Sequence, residues 1–264
     1  MIEITVLAIL QGIAEFLPVS SSGHLVIGQH LLGVNEPGMR LDVFLHVGTL
    51  LSIFAFYLPV ILRLLGGLFV RSATWERRRE AWEYLGKVVL SALPAVVVYF
   101  CFKDFIEGMF ENAKMVGALL MFTGAVLVGT RYMPRGGRDV NFPRALLMGI
   151  GQALALLPGV SRSGMTLASA RAGRVDPEKS AEFSFLMSAP LVAGAALLEG
   201  VKAFSSEAPA AAEVSWGLTL YGCALAAVVG YIALAVLVKA LKGRWFWLFG
   251  PYCLVAGLLT LLLV

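Results

Sequence analysis

Apolar residues in this chain occur in long blocks, and six of these blocks are candidates for helices that cross a membrane. A helix needs about 20 residues to span the hydrocarbon core of a bilayer. The blocks lie at residues 43–62, 87–102, 115–130, 183–198, 214–238 and 246–264. The last two contain no charged residue. We predict one membrane-spanning helix for each block.

Two other apolar segments differ, because a proline breaks each of them. The first segment runs into Pro18 and the second into Pro158, and proline ends or kinks a helix. A serine-rich turn follows each break, and an apolar pattern then resumes. Non-helical backbone at membrane depth is tolerated only inside protein or beside a water-filled cavity. We therefore predict two re-entrant hairpins, at about residues 4–33 and 143–175, each with two half-helices that meet at a polar turn.

Each hairpin precedes three of the six blocks, so the chain divides into two similar halves. We predict one integral membrane domain at residues 1–264, with a first repeat at 1–140 and a second at 141–264. Paired broken segments at corresponding positions of two halves are typical of a site at a repeat interface.

The composition agrees with a membrane protein and excludes several other classes. Hydrophobic residues make up 59% of the chain and charged residues 14%, whereas soluble domains carry about 25% charged residues. The net charge of +4 is modest and indicates basic loops rather than a nucleic-acid-binding surface. The three cysteines are scattered through apolar segments, which argues against a metal cluster or a disulfide framework.

The charges of the loops predict the orientation in the membrane. Four loops are basic, and they lie near residues 71–87, 131–144, 171–179 and 239–244. The positive-inside rule places such loops in the cytoplasm, and the mixed or acidic loops at 103–114 and 202–213 outside. The first hairpin then opens outward and the second opens to the cytoplasm. We predict an all-α polytopic membrane protein with two inverted-topology repeats, each a re-entrant helical hairpin plus three transmembrane helices.

The two polar turns carry side chains that membrane segments usually avoid. Ionisable groups at membrane depth are costly, so they are candidates for a functional site. The first turn is flanked by Glu15 and His24, and the second contains Arg162. Each turn also supplies the N-terminus of a half-helix, where free N–H groups and the helix dipole favour an anion. Arg162 adds a planar, permanently charged fork for phosphate oxygens.

These turns belong to two longer motifs, Gln11-x-x-x-Glu15-Phe16-Leu17-Pro18-Val19-Ser20-Ser21-Ser22-Gly23-His24 and Pro158-Gly159-Val160-Ser161-Arg162-Ser163-Gly164-Met165-Thr166. Both motifs resemble those of the undecaprenyl pyrophosphate phosphatase family, also called the bacitracin-resistance family. The resemblance extends over nearly the whole chain. In that family the first motif begins with Glu or Gln, so Gln11 is permitted but leaves one fewer carboxylate for a metal. Glu182 departs from the family, where a basic residue is expected.

The resemblance implies an enzyme that hydrolyses undecaprenyl diphosphate to undecaprenyl phosphate and inorganic phosphate. This reaction recycles the lipid carrier for peptidoglycan synthesis and gives bacitracin resistance. The resemblance also implies a multi-pass protein of the bacterial inner membrane, with an active site that opens to the periplasmic or outer face. The expected partners are a polyprenyl diphosphate lipid and the bilayer, without nucleic acid, and a homodimer is left open.

The residue types suggest roles within this chemistry. The candidates for catalysis are Glu15, Ser21, His24 and Arg162. The candidates for phosphate binding are Ser20, Ser22, Ser161, Ser163 and Thr166. Gln11 and Glu15 lie one turn apart on one helix face and would hold a divalent cation, Mg²⁺ or Ca²⁺. The nucleophile is either Ser21, with His24 as its base, or His24 itself. The position of the hydroxyl at the turn, near N–H groups that would hold the phosphate, favours Ser21.

Simpler interpretations exist for several of these features. Inverted repeats with broken helices also occur in secondary transporters, so a transporter or flippase of a phosphorylated polyprenyl lipid is the alternative function. A cluster of Glu15, Ser21 and His24, which an anion carrier does not need, favours the enzyme. Glu15 has a structural alternative, in which it caps a half-helix or pairs with Arg162. His46 is interpreted as a hydrogen-bonded core histidine.

Overall fold

The computed structural model describes residues 1–21, 23–24, 39–110, 112–134, 136–205 and 214–263, and these ranges are mainly α-helical. The helices are α1 Ile2–Ala14, α2 Met39–Phe56, α3 Leu58–Phe69, α4 Trp75–Phe110, α5 Ala113–Gly129, α6 Phe142–Leu154, α7 Arg162–Ala172, α8 Pro177–Ser205, α9 Trp216–Gly243 and α10 Phe249–Leu263. The all-helical fold class predicted from the sequence is confirmed.

Within the described ranges, four helices are long and apolar enough to cross a bilayer, namely α4, α5, α8 and α9. They correspond to four of the six predicted blocks. The last block is only partly α-helical, because a 3₁₀ turn at Phe246–Leu248 precedes α10. At 1.5 Å per residue, the 15 residues of α10 span about 22 Å, which is less than a hydrocarbon core of about 30 Å.

The block at residues 43–62 is not one straight helix, and this prediction was wrong. Helices α2 and α3 meet at an angle of 74°. Tyr57 lies between them with φ −101° and ψ 18°, outside the helical region, and Pro59 stands in the first turn of α3. Proline has no N–H to continue the hydrogen bonds of the preceding helix. The block is apolar on both sides of Tyr57, so hydrophobicity alone did not show the bend.

The second predicted hairpin consists of two short helices, α6 and α7, joined by a polar turn at residues 155–161. The first hairpin begins in the same way, with α1 and a turn at residues 15–20, and its second half starts at Ser21. Residues 25–33 of that hairpin lie outside the described residues. Both proline-broken segments therefore contain a short helix, as predicted, and the helices end at Ala14 and Leu154, before the prolines.

Helices from the two halves of the chain pack against one another in matching pairs. Helix α1 packs on α9, and its counterpart α6 packs on α4. Helices α2 and α8 form a further pair, as do α5 and α10. Two structurally related halves that pack against each other would produce such matching pairs. The inverted orientation of the halves stays a prediction.

The α5–α10 pair is held by reciprocal glycines. Gly117 faces Gly257, and Gly124 faces Gly250. A Cβ atom at any of the four would lie 2.5 to 3.0 Å from the carbonyl oxygen of the opposite glycine. Small residues let membrane helices approach closely, because backbone then packs directly against backbone. This close pair lies beside the second polar turn, which α5 also contacts through Thr123.

Candidate active site

The two polar turns come together in space, although their residues are about 140 positions apart in the sequence. The Arg162 guanidinium donates through Nη2 to Glu15 Oε1 and forms an ion pair with it. Ser163 Oγ donates to the carbonyl of Leu17 at 3.3 Å. The two motifs therefore form one polar centre between the halves of the protein.

Glu15 is the most densely coordinated side chain of this centre, and only 8% of the residue is exposed. Besides Arg162, its Oε2 atom accepts hydrogen bonds from Ser21 Oγ at 3.0 Å and from Gln11 Nε2 at 3.1 Å. Buried carboxylates need such partners, because they have lost the hydration that stabilises their charge. The ion pair anticipated as the structural alternative for Glu15 is present, and it lies in the predicted site.

The pKa of Glu15 reflects two opposing effects. The residue lies in the turn after α1, outside the membrane-spanning helices. Burial by itself raises the pKa of its carboxyl, but the Arg162 guanidinium opposes this most strongly. His46 and the hydrogen bonds to the carboxylate act in the same direction as Arg162, and the pKa lies below its ordinary value. The Arg162 guanidinium therefore favours the charged form of Glu15.

The first turn returns Ser21 to Glu15 through a left-handed residue. Ser20 has φ +70°, which is uncommon for a residue other than glycine. Phe16 fixes the start of this turn, because its fully buried ring lies 5.5 Å from the ring of Phe185 on α8. The sharp reversal places Ser21 at the start of the next half-helix, where its hydroxyl donates to the Glu15 carboxylate.

The second turn depends on a glycine and a threonine. Gly159 has φ +90°, and a Cβ atom there would collide with the carbonyl of Val116. Thr123 Oγ1 donates to the Gly159 carbonyl at 3.2 Å and accepts from the backbone N–H of Ser161 at 3.1 Å. Ser161 then caps α7, because its Oγ accepts from the N–H of Gly164. Arg162 is thus the first residue of α7 rather than a residue of the turn, where the sequence had placed it.

A cavity of about 430 Å³ opens at this centre and has two kinds of wall. Its polar lining consists of Glu15, Ser20, Ser21, His46, Gln152, Ser161, Arg162, Ser163 and Ser188. Its apolar wall comes mainly from α4 and α8, which contribute Ala95, Tyr99, Ile106, Leu191, Val192, Ala195 and Ala196. The cavity can therefore accept a group that is anionic at one end and apolar at the other.

Not every predicted site residue lines this cavity. His24 stacks on Tyr252, with ring centroids 5.6 Å apart, and its Nε2 pairs with the Tyr252 hydroxyl at 2.6 Å. The other ring nitrogen pairs with the carbonyl of Ser20 at 2.9 Å. Both nitrogens are thus engaged away from Ser21. The Thr166 hydroxyl points to its own helix and to Ser184 Oγ at 2.6 Å, and Ser22 lies outside the described residues.

Three residues of the polar lining were not predicted from the sequence as parts of the site, namely Gln152, His46 and Ser188. Gln152 is buried against the cavity, and His46 lines it with its Nδ1 paired to the carbonyl of Asp42 at 2.8 Å. The hydrogen bond agrees with the core interpretation of His46, but the cavity position does not. A histidine inside an apolar block was the available signal for His46.

The polar centre has oxygen atoms suited to a hard cation. Gln11 Oε1 is buried beside Glu15 and has no hydrogen-bond partner in the described ranges. In those same ranges, no three His, Cys, Asp or Glu side chains lie close enough to hold a metal by themselves. Mg²⁺ is often bound by one or two carboxylates together with substrate phosphates. Glu15 lines the cavity whereas Gln11 does not, so a cation shared by these two residues and a phosphate stays a prediction.

Comparison with known proteins shows the family of the chain. Residues 4–259 match the family described as Bacitracin resistance protein BacA. An undecaprenyl-diphosphatase of Desulforapulum autotrophicum is 37% identical, with 97% of this chain and 96% of the relative aligned. Proteins of the same name from Desulfosudis oleivorans and Pelotomaculum thermopropionicum are 39% and 38% identical, each with 98% of this chain aligned, and with 97% and 94% of the relative. The chain therefore belongs to the bacitracin resistance protein BacA family.

Proposed function

We propose that this protein hydrolyses undecaprenyl diphosphate to undecaprenyl phosphate and inorganic phosphate. The observation that carries the proposal is the cavity in which Glu15, Ser21 and Arg162 stand beside an apolar wall. The named relatives are undecaprenyl-diphosphatases, and they align with almost the whole chain. The protein is thus a membrane enzyme that recycles the lipid carrier for peptidoglycan synthesis, and its activity gives resistance to bacitracin.

Binding of the terminal phosphate is the role of Arg162 and the start of α7. Arg162 Nη2 is held by Glu15, whereas the buried Nη1 has no partner in the part of the chain that the structure describes. This free donor can bind a phosphate oxygen while the ion pair keeps the guanidinium in place. The α7 N-terminus, with Ser161 and Ser163, adds N–H and hydroxyl groups to the same anion.

Ser21 is the proposed nucleophile, and Glu15 is the proposed acceptor of its proton. The Ser21 hydroxyl already donates to the carboxylate, which is the geometry that activates a hydroxyl. Oγ attacks the terminal phosphorus, the bond to the bridging oxygen breaks, and undecaprenyl phosphate leaves. Water then cleaves the phosphoserine.

His24 then has a different role from the one expected. Because its ring is held between Tyr252 and the Ser20 carbonyl, it braces the left-handed turn that presents Ser21. Thr166 likewise supports α7 from behind, through Ser184, rather than reaching the phosphate.

A divalent cation, Mg²⁺ or Ca²⁺, is proposed as the cofactor, held by Glu15 and Gln11 with the substrate phosphates. When bound, the ion neutralises charge on the diphosphate. Gln11 donates to Glu15 Oε2 through its amide nitrogen, and its buried amide oxygen has no partner in the described ranges. This oxygen and the Glu15 carboxylate are the protein ligands that we propose for the cation.

The membrane setting supplies the substrate. Four to five candidate spans make this a multi-pass membrane protein. We propose the bacterial inner membrane, with the active site open to the periplasmic or outer face, in accord with the loop charges. The apolar wall on α4 and α8 would receive the first isoprene units of the lipid. A homodimer stays a prediction.

Release of inorganic phosphate by the purified protein from a C55 diphosphate tests the proposal, with Ser21→Ala as the matched control. We expect steady release by the wild type and none by the variant. A wild-type protein that moves the lipid across vesicles but releases no phosphate at any divalent-ion concentration would instead establish the transporter alternative.

A further inference from the structure

Gln152 lies in the wall of the cavity with a side-chain amide that the protein itself does not satisfy. Only 4% of the residue is exposed, and neither Nε2 nor Oε1 has a hydrogen-bond partner within the described ranges. A buried amide in this state is costly, because it has given up its hydrogen bonds to water. A bound ligand that completes these hydrogen bonds accounts for a glutamine at this place.

Gln152 lies between the polar lining of the cavity and its apolar wall. It belongs to α6, which packs against α7, the helix that begins with Arg162. Helix α6 also packs against α4, which supplies part of the apolar wall, including Ala95 and Tyr99. Immediately after the end of α6, Ala155 and Leu156 line the same cavity. The amide is thus between the phosphate-binding end and the apolar wall.

The first half of the chain contains a related glutamine with a different environment. The pattern Ile9-x-Gln11-x-x-Ala14 matches Ile150-x-Gln152-x-x-Ala155. Gln11 donates to Glu15, four residues later, whereas the residue four positions after Gln152 is Leu156. The second glutamine therefore has no carboxylate on its own turn, and both of its polar atoms are left for a ligand.

We propose that Gln152 positions the substrate by donating from Nε2 to the phosphate that carries the prenyl chain. This inference rests on the proposed function. With the terminal phosphate at Arg162 and the prenyl chain along the apolar wall, the chain-bearing phosphate lies between them, at Gln152. A neutral donor suits this place, because it binds an anion without changing the charge balance of Glu15 and Arg162.

Steady-state kinetics of Gln152→Leu test the proposal, with farnesyl diphosphate as the substrate. Loss of one hydrogen bond to a charged group predicts a KM that rises about 10- to 100-fold, with a much smaller change in kcat. Product inhibition separates the two phosphates. Inhibition by farnesyl monophosphate should weaken by a similar factor, while inhibition by inorganic phosphate stays unchanged. An unchanged KM overturns the proposal, and so does weakened inhibition by inorganic phosphate alone.

Two further variants separate positioning from folding. Gln152→Glu keeps the shape of the side chain but lacks the N–H donor and adds a negative charge. Its KM should therefore rise at least as much as that of Gln152→Leu. Ile150→Val, on the exposed face of α6, should keep wild-type kinetics. Without substrate, Gln152→Leu should unfold at a temperature no lower than the wild type, because an unsatisfied amide is removed. If Gln152 had only a structural role, Gln152→Leu would instead lower the unfolding temperature and leave the KM of the folded fraction unchanged.

These outcomes are distinct from failure of the proposed function. A wild type that releases no phosphate contradicts the proposed function itself. An active wild type with an unaffected Gln152→Leu variant contradicts only the role of Gln152.

Discussion

Arg162→Lys should abolish most of the activity and yet leave the protein folded. In the structure the guanidinium serves two purposes at once, since Nη2 pairs with Glu15 and the buried Nη1 is free for phosphate. Lysine has the same charge but one nitrogen on a flexible stem. If the lysine nitrogen takes the place of Nη2 on the Glu15 carboxylate, no second nitrogen remains to donate to the phosphate.

The size of the effect follows from these two contacts. A hydrogen bond to a charged group contributes about 1.5–3 kcal/mol, and loss of one preorganised donor to a developing charge costs about 10²–10³ in kcat. We therefore expect kcat to fall by about 10²–10³ with lysine. Because the pairing with Glu15 persists, the free energy of unfolding should change by only about 1 kcal/mol.

Arg162→Met supplies the contrast that makes this reasoning testable. It removes the partner of a carboxylate that is only 7% exposed in its side chain, so it should destabilise the fold by about 3–5 kcal/mol. Phosphate release and chemical unfolding would be measured on the same detergent preparations. The reasoning is refuted by an Arg162→Lys enzyme with near-normal kcat, or by Met and Lys variants of equal stability.

Three further predictions address the metal, the nucleophile and the topology. EDTA should abolish phosphate release, and Glu15→Gln should do the same with Mg²⁺ or Ca²⁺ present; full activity in EDTA would rule out the cation. Rapid quenching with radiolabelled substrate should trap an acid-stable phosphoserine at Ser21, because its hydroxyl donates to Glu15; an acid-labile adduct that disappears in His24→Ala would identify histidine as the nucleophile. Cysteines introduced at Arg78 and Asp104, near the two ends of α4, should react with impermeant reagents from the cytoplasm and from outside, respectively; labelling from one side only would contradict the predicted orientation.

The proline-broken segments could be predicted from the sequence because their signals are local. Pro18 and Pro158 end short apolar segments, and each is followed by serines that can cap the next helix. The structure has a short helix before each break, and α7 begins immediately after its capping serine. The bend at Tyr57 was missed, although Pro59 is visible in the sequence, because the apolar block continues through it.

Within the candidate site, the residue types were predictable but their pairing was not. The charged and hydroxyl side chains of Glu15, Ser21 and Arg162 stand out against apolar surroundings, and the structure brings these three together. From the sequence, His24 was a candidate for the base of Ser21 or for the nucleophile itself. The structure instead turns His24 toward Tyr252, a residue 228 positions away.

The sequence by itself determined the membrane class, the helical breaks and the set of polar residues, because each depends on hydrophobicity or on backbone chemistry over a few neighbouring positions. Only the tertiary structure decided which polar groups meet. The contact of Glu15 with Arg162 and the place of Gln152 in the cavity depend on the packing of α1, α4, α6 and α7. Such contacts join residues far apart in the chain, and no local pattern encodes the angle and distance at which two helices pack.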